Sequence, residues 1–160
     1  MTISEYNFQA ATMDDLETLV QMWCESSQYH EGIEPRFQYS SDANEWTAKY
    51  FTKQLPLETY TIFLARDGED DVGFIETQVM EKAPIHAHRR VGYIGSIYVK
   101  PHYRRKGVGS HLWELAWDWL STHNVAKIQL AVAAKNPKAL KFWQNLGFTK
   151  LMFQMERGTD

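Results

Sequence analysis

The run from Tyr93 to Ser110 limits what this chain can fold into more than any other stretch. Tyr93-Ile94-Gly95-Ser96-Ile97-Tyr98-Val99 is rich in β-branched and aromatic residues and reads as a strand. Pro101 has no N–H to give a ladder, so the strand stops near Lys100. A basic, glycine-bearing stretch follows: Arg104, Arg105, Lys106, Gly107, Val108, Gly109 and Ser110. Leu112, Leu115, Ala116, Trp119 and Leu120 then recur at helical spacing. This order, strand then basic loop then helix, presents the first N–H groups of the helix, which have no intrahelical partner, to whatever sits at the loop. The helix dipole and three cationic side chains favour an anion there. Gly107 and Gly109 keep side chains off the backbone. The stretch therefore predicts a seat for a diphosphate. Neither Gly-x-x-x-x-Gly-Lys-Ser/Thr nor Gly-x-Gly-x-x-Gly occurs, which excludes the Walker loop and the dinucleotide fingerprint.

The flanking chain supplies the sheet and helices this unit needs. Asn7 to Ala11 reads as a short strand. Thr12 is an N-cap with Asp15 in an imperfect capping box, and the spacing of Leu16, Leu19, Val20 and Trp23 predicts a helix from Met13 to about Ser26. Residues 28–41 read as irregular, with Gly32 and Pro35 as breakers. Asp42 caps a second helix to about Leu55, with Trp46, Tyr50 and Phe51 facing inward. Thr59 to Arg66 and Val72 to Met80 form a hairpin that Tyr93 to Val99 extends into an antiparallel meander. Beyond the helix from about Val108 to Thr122, Lys127 to Ala133 is a strand parallel to Tyr93–Val99, joined by a right-handed crossover. Asn136 and Pro137 open a last helix that Gly147 closes, and Leu151 to Glu156 reads as a final strand.

Composition excludes several classes. The 160 residues suit one domain, residues 1–160, and 44% hydrophobic residues suffice for a core. A formal charge of −3 argues against general nucleic-acid binding. One cysteine, Cys24, rules out an intramolecular disulfide and suits a reducing compartment. Residues 1–10 carry Glu5 and alternate polar with apolar residues, unlike a cleaved leader. No apolar run approaches the roughly 20 residues that span a bilayer. The expectation is a cytoplasmic protein without nucleic-acid or membrane partners. His86 and His88 would share a face of an extended segment, but no third ligand stands at a useful spacing, so no metal is expected.

Arg104-x-x-Gly107-x-Gly109 after Ile97-Tyr98-Val99-x-Pro101 resembles the coenzyme A signature of the GNAT superfamily of N-acetyltransferases. Asn136-x-x-Ala139-x-x-Phe142-Trp143-x-x-x-Gly147-Phe148 resembles that family's second hallmark at every anchor but one. The resemblance implies an α/β (α+β) fold: a mixed, mostly antiparallel sheet of six to seven strands, splayed between its two parallel central strands and flanked by about four helices. It implies acetyl-CoA as co-substrate, held by Ile97, Tyr98, Val99, Arg104, Arg105, Lys106, Gly107, Val108, Gly109, Ser110, Asn136, Ala139 and Trp143. It implies transfer to a primary amine, on a small molecule or a peptide, by direct attack in a ternary complex. GNAT proteins often form homodimers, so a dimer is an expectation. The region corresponding to residues 28–41 lines the acceptor pocket in that family, and here it carries Tyr29, Glu31, Glu34 and Tyr39, residues that suit a cationic amine.

The chain departs from the family pattern twice. Gly95 and Ser96 stand where many members have a carboxylate on the central strand, and Trp143 stands where many have a tyrosine that acts as acid. An indole N–H donates a hydrogen bond but does not titrate in water. The catalytic candidates are therefore Glu76 as base, directly or through water, Ser96 as holder of a water, and Tyr98 as proton donor, with Tyr103 a further donor. Cofactor contact is the role left to Trp143. The alternatives are an acyl-CoA-binding module with little turnover, motivated by the missing acid, and transfer of a longer acyl group.

Overall fold

The computed structural model describes residues 3–159. Its sheet has five strands in the order β1-β2-β3-β4-β5: β1 Asn7–Ala10, β2 Tyr60–Asp67, β3 Asp70–Glu81, β4 Arg90–Val99 and β5 Ile128–Leu130. The first four are antiparallel neighbours, and β5 runs parallel to β4. Four helices flank the sheet: α1 Leu16–Ile33, α2 Ala43–Gln54, α3 Val108–Ser121 and α4 Pro137–Asn145. The mixed sheet with its one parallel pair is the fold class the sequence implied.

Each face of the sheet buries its own core. Ile62, Leu64, Phe74 and Tyr98 meet Leu19 and Met22 of α1 and Phe51 of α2 on one side. Ala65, Ile75 and Ile94 meet Val108, Leu112, Ala116 and Leu120 of α3 and Trp143 of α4 on the other. This division follows from the two-residue period of strands, which sends alternate side chains to opposite faces. Full burial of a residue such as Leu19, Phe51 or Leu112 contributes about 1.5–3 kcal/mol each.

The ladder between β4 and β5 is short. It pairs Gly92 with Ile128, Tyr93 with Gln129 and Ile94 with Leu130, and then ends. β4 itself continues to Val99, still paired with β3. The parallel strands therefore part after Ile94, and among the described residues no strand pairs with that edge of β4 from Gly95 onward.

The structure corrects three expectations. The first helix continues to Ile33, through Gly32. Ser26 and Ser27 are buried and Tyr29 and Ile33 half-buried, so the packed face of α1 runs on beyond Trp23, and Gly32 falls in the final turn where a helix tolerates it. The capping box at its start is complete, with Thr12 N–H donating to Asp15 Oδ2 at 2.7 Å. Leu151 to Glu156 forms no strand, and the sheet has five strands among the described residues instead of six or seven. Leu151, Met152, Phe153 and Met155 are exposed. A strand exists only through a partner, and a three-residue β5 offers this segment too short an edge.

Candidate active site

The loop after β4 is built from backbone. Arg105 and Gly107 both take left-handed conformations, with φ of 64° and 88°, and Lys106 lies between them. Such alternation turns successive N–H groups toward one concavity. The first helical bond of α3 runs from His111 N–H to Gly107 O at 3.0 Å. Among the described residues, no group accepts from the N–H groups of residues 105–110. Six consecutive amides before and at the helix start thus have no acceptor among the described residues, the state an anion can use, although Val108 itself is buried.

The side chains of this loop divide in an unexpected way. Arg105 and Lys106 are exposed and make no ion pair among the described residues. Lys106 lies over the Tyr103 ring, 5.1 Å from its centroid. Arg104 turns back into the protein instead. Its Nε donates to Val99 O at 2.8 Å, and its guanidinium sits 4.8 Å from the Tyr29 ring and 5.9 Å from that of Tyr98. Through these contacts Arg104, one of the residues expected to hold the cofactor, ties the loop to the open edge of β4 and to α1.

The alternation of the β3–β4 ladder orients the other amides. Lys100 N–H donates to Val72 O at 2.9 Å, and the register through Ser96 opposite Glu76 is regular. Tyr98 and Ser96 amides therefore point into the ladder, whereas Val99 and Ile97 amides point to the edge that β5 has left. The edge amide nearest the loop is that of Val99 and not that of Tyr98.

On the other flank of β4 lies a pocket of about 580 Å³. Its lining comes from α1 (Trp23), residues 38–40, α2 (Ala43, Trp46, Thr47, Tyr50), β3 (Glu76, Gln78) and β4 (Tyr93, Gly95). Glu76 is 6% exposed. Its Oε1 accepts from Tyr60 Oη at 3.0 Å and from Tyr50 Oη at 3.1 Å. Oε2 has no hydrogen-bond donor among the described residues. Burial pushes the Glu76 carboxyl above its usual range, and the two phenols offset only part of that. Both phenols are themselves pushed up, first by burial and then by the carboxylate's charge, so they remain donors.

Gly95 explains why the carboxylate fits. It is the extra residue where the register shifts between Glu76 and Thr77. A Cβ on Gly95 would lie 2.7 Å from Glu76 Cδ and from Oε2. The carboxylate thus fills the space that a side chain at 95 would occupy. The acid absent from the central strand enters from the neighbouring strand.

Other expected residues have other partners. Ser96 is in register with Glu76, on the same face, and its hydroxyl makes no bond among the described residues. Tyr98 is buried, and its hydroxyl donates to Glu25 Oε2 at 3.1 Å. Burial foremost, then the Glu25 charge, raises its pKa, which opposes ready proton donation. Asn136 caps α4 by accepting from Ala139 N–H at 3.1 Å. Trp143, expected beside the cofactor, is 4% exposed and packs among Trp113, Phe142 and Phe148, at 5.0 to 5.6 Å between centroids. Glu31 accepts from Tyr39 N–H at 2.8 Å. Glu34 is held by Arg36 and Lys135, whose hydrogen bonds lower its pKa to about 2. Trp46 and Tyr50 were expected inward; they are 61% and 39% exposed and face the pocket. The expected 28–41 region does reach the pocket, through Gln38, Tyr39 and Ser40, whereas sequence reasoning missed Trp23, Ala43, Thr47, Gln78 and Tyr93. For Gln78 a signal existed, since strand alternation puts it on the face of Glu76.

A sequence profile of the acetyltransferase (GNAT) family matches residues 19–148. N-alpha-acetyltransferase 30 of Xenopus laevis is 35% identical over 106 residues, which are 66% of this chain and 36% of that protein. The chain thus spans well under half of that relative's length. The BH1408 protein of Bacillus halodurans, solved as a tetramutant, aligns with a TM-score of 0.84 at 19% identity, over 95% of this chain and 99% of its own. A predicted acetyltransferase of Clostridium acetobutylicum, solved with acetyl-CoA, aligns with a TM-score of 0.77 at 19% identity, over 96% of each chain. At such identities the two structures show the shared fold.

Proposed function

This chain belongs to the acetyltransferase (GNAT) family, and from that premise we propose that it is an N-acetyltransferase that moves acetyl from acetyl-CoA to a primary amine within a ternary complex. The observation that carries this reading is that one strand, β4, borders both halves of a two-substrate site. It runs from the Glu76 pocket at Gly95 to the open amides that begin beyond Val99.

The amides of residues 105–110 would hold the diphosphate of coenzyme A, with Arg105 and Lys106 adding charge. The free edge of β4 would pair with the amide-bearing pantetheine arm. Acetyl-CoA supplies a thioester, at whose carbonyl carbon the C–N bond forms as the C–S bond breaks. An alkylamine has a pKa near ~10.4, so its ammonium form must lose a proton before it can attack. Glu76 Oε2 is the acceptor for that proton, directly or through water. Tyr50 and Tyr60 hold the other carboxylate oxygen in place, and burial raises the carboxyl toward the range where a base is effective. The Val99 N–H is oriented to meet the oxyanion that develops at the carbonyl. The hydroxyl of Tyr98 is engaged by Glu25 and Trp143 is buried, so neither serves as acid to the leaving thiolate.

Incubation with acetyl-CoA and a panel of primary amines, with free thiol as readout, tests the proposal. Amine-dependent thiol release is expected. Binding of coenzyme A with no release across the panel would replace the transferase by an acyl-CoA-binding module.

A further inference from the structure

The acceptor pocket has an unusual balance of groups. It is walled by aromatic rings and contains one carboxylate. Trp23, Tyr39, Trp46, Tyr50 and Tyr93 line it, and among the described residues Glu76 is the only acidic one in the lining. Three of those rings are 39% to 61% exposed: Tyr39, Tyr50 and Trp46. Large apolar surface gathered in a concavity and left open to water marks a binding site. The rings are also held in place. Tyr39 stacks edge-on to Trp23 at 5.2 Å, and its N–H is fixed by Glu31. The Trp46 indole N–H donates to Asp42 at 2.8 Å, so its polar edge is satisfied, and Lys49 covers one of its faces, leaving the other to the pocket.

The charge count is equally informative. A polyamine or an aminoglycoside carries several ammonium groups, and each would want a carboxylate or a ring face on entering such a site. Of the two carboxylates that would have suited a polycation, Glu34 is paired with Arg36 and Lys135, and Glu31 is tied to the Tyr39 N–H; neither lines the pocket. Beside Trp46 on α2, Glu45 is paired with Lys49 at 2.6 Å, and that lysine itself lies over Trp46, 4.8 Å from the ring centroid. One ammonium fits at Glu76; Asp42 is held outside the lining by the Trp46 N–H, and between the polar side chains of Gln38, Ser40, Thr47 and Gln78 the aromatic walls suit a flat apolar body.

Resting on the transferase reading above, we propose that the acceptor is a monocationic primary amine with an aromatic group a few bonds from the nitrogen. The ammonium meets Glu76 over Gly95, and the ring stacks within the Trp23, Tyr39 and Trp46 walls. Two sources share this chemistry: a free arylalkylamine, and the N-terminal residue of a peptide that begins with an aromatic side chain.

The test compares 2-phenylethylamine, a Phe-initiated tetrapeptide, propylamine and spermidine as acceptors, with kcat/KM from thiol release. One aromatic acceptor is expected to exceed propylamine and spermidine by about tenfold or more, the size of one good aromatic contact. Which of the two aromatic acceptors is faster identifies the source. Trp46→Ala should raise KM for that acceptor about tenfold and erase most of its advantage over propylamine. Spermidine as the best acceptor, or equal losses on all acceptors in the variant, would overturn the proposal. Binding is followed separately, by quenching of tryptophan fluorescence with each of the two aromatic amines in the absence of acetyl-CoA. Quenching by either whose half-saturating concentration rises in Trp46→Ala, read from the remaining tryptophans, without thiol release from any amine, would uphold the pocket's preference while the transferase reading fails. Absence of quenching by both would overturn the pocket's preference even if transfer to other amines were found.

Discussion

The loop at residues 104–110 and the pocket over Glu76 flank the same strand and work with different parts of the chain. The loop offers main-chain N–H groups, and its shape is set by left-handed residues at 105 and 107. Its charged side chains are exposed or, like Arg104, turned inward. The pocket offers side chains from five separate segments around one buried carboxylate. A site made of backbone tolerates changed side chains and suffers from changed dihedrals. A site made of side chains around a desolvated charge suffers from small changes in volume or charge.

The sharpest way to probe that contrast is Glu76→Gln. It keeps the acceptor oxygen for Tyr50 and Tyr60 and removes the base. kcat should fall by about 100-fold or more. The wild-type rate should fall as pH drops through the raised pKa of Glu76, because the base is then protonated, and the variant should lose that limb. Stability should move the opposite way. A carboxyl whose folded pKa lies above its unfolded value penalises folding once both states are ionised. The penalty is absent below the unfolded pKa and grows as pH rises to the folded one. Glu76→Gln should therefore melt higher than wild type near neutral pH and lose that advantage in acid; a lower Tm at pH 7 would contradict the buried-charge account.

Gly95→Ala comes next. Its Cβ would fall 2.7 Å from the carboxylate, which must then move. A kcat loss of about tenfold is expected, with KM for acetyl-CoA little altered. Gly107→Ala should show the converse split. Alanine at a φ of 88° costs about 1–2 kcal/mol, and distortion of the amide row should raise KM for acetyl-CoA several-fold with kcat held. If the two variants gave the same pattern, the division into a backbone half and a side-chain half would be wrong. The smallest effect belongs to Arg105→Ala with Lys106→Ala. These exposed charges should change KM for acetyl-CoA by only a few-fold, and the difference should shrink with added salt.

Most of the secondary structure was legible because it rests on local signals. The Thr12–Asp15 capping box, Asn136-Pro137 at the start of α4, and Gly147 after its end, with φ of 88°, all stand where the sequence put them. The exceptions share one cause. α1 runs through Gly32 because burial of Ser26 and Ser27 outweighs local propensity, and Leu151–Glu156 stays unpaired although its residues favour a strand. Trp46 and Tyr50 read as core from their hydrophobicity, yet they border a cavity, since periodicity gives a helix its apolar face without saying what that face meets.

By itself the sequence determined the fold class, the parallel pair around the glycine loop, and the left-handed glycine that precedes α3, because those depend on contiguous residues and on dihedrals that glycine and proline set locally. Tertiary structure alone decided where Arg104 points, that Tyr98 answers to Glu25, and that the carboxylate of Glu76 sits over Gly95. The physical reason lies in register. A one-residue shift between β3 and β4 sets which side chain overlies Gly95, and that shift is a property of the paired strands, written in neither one alone.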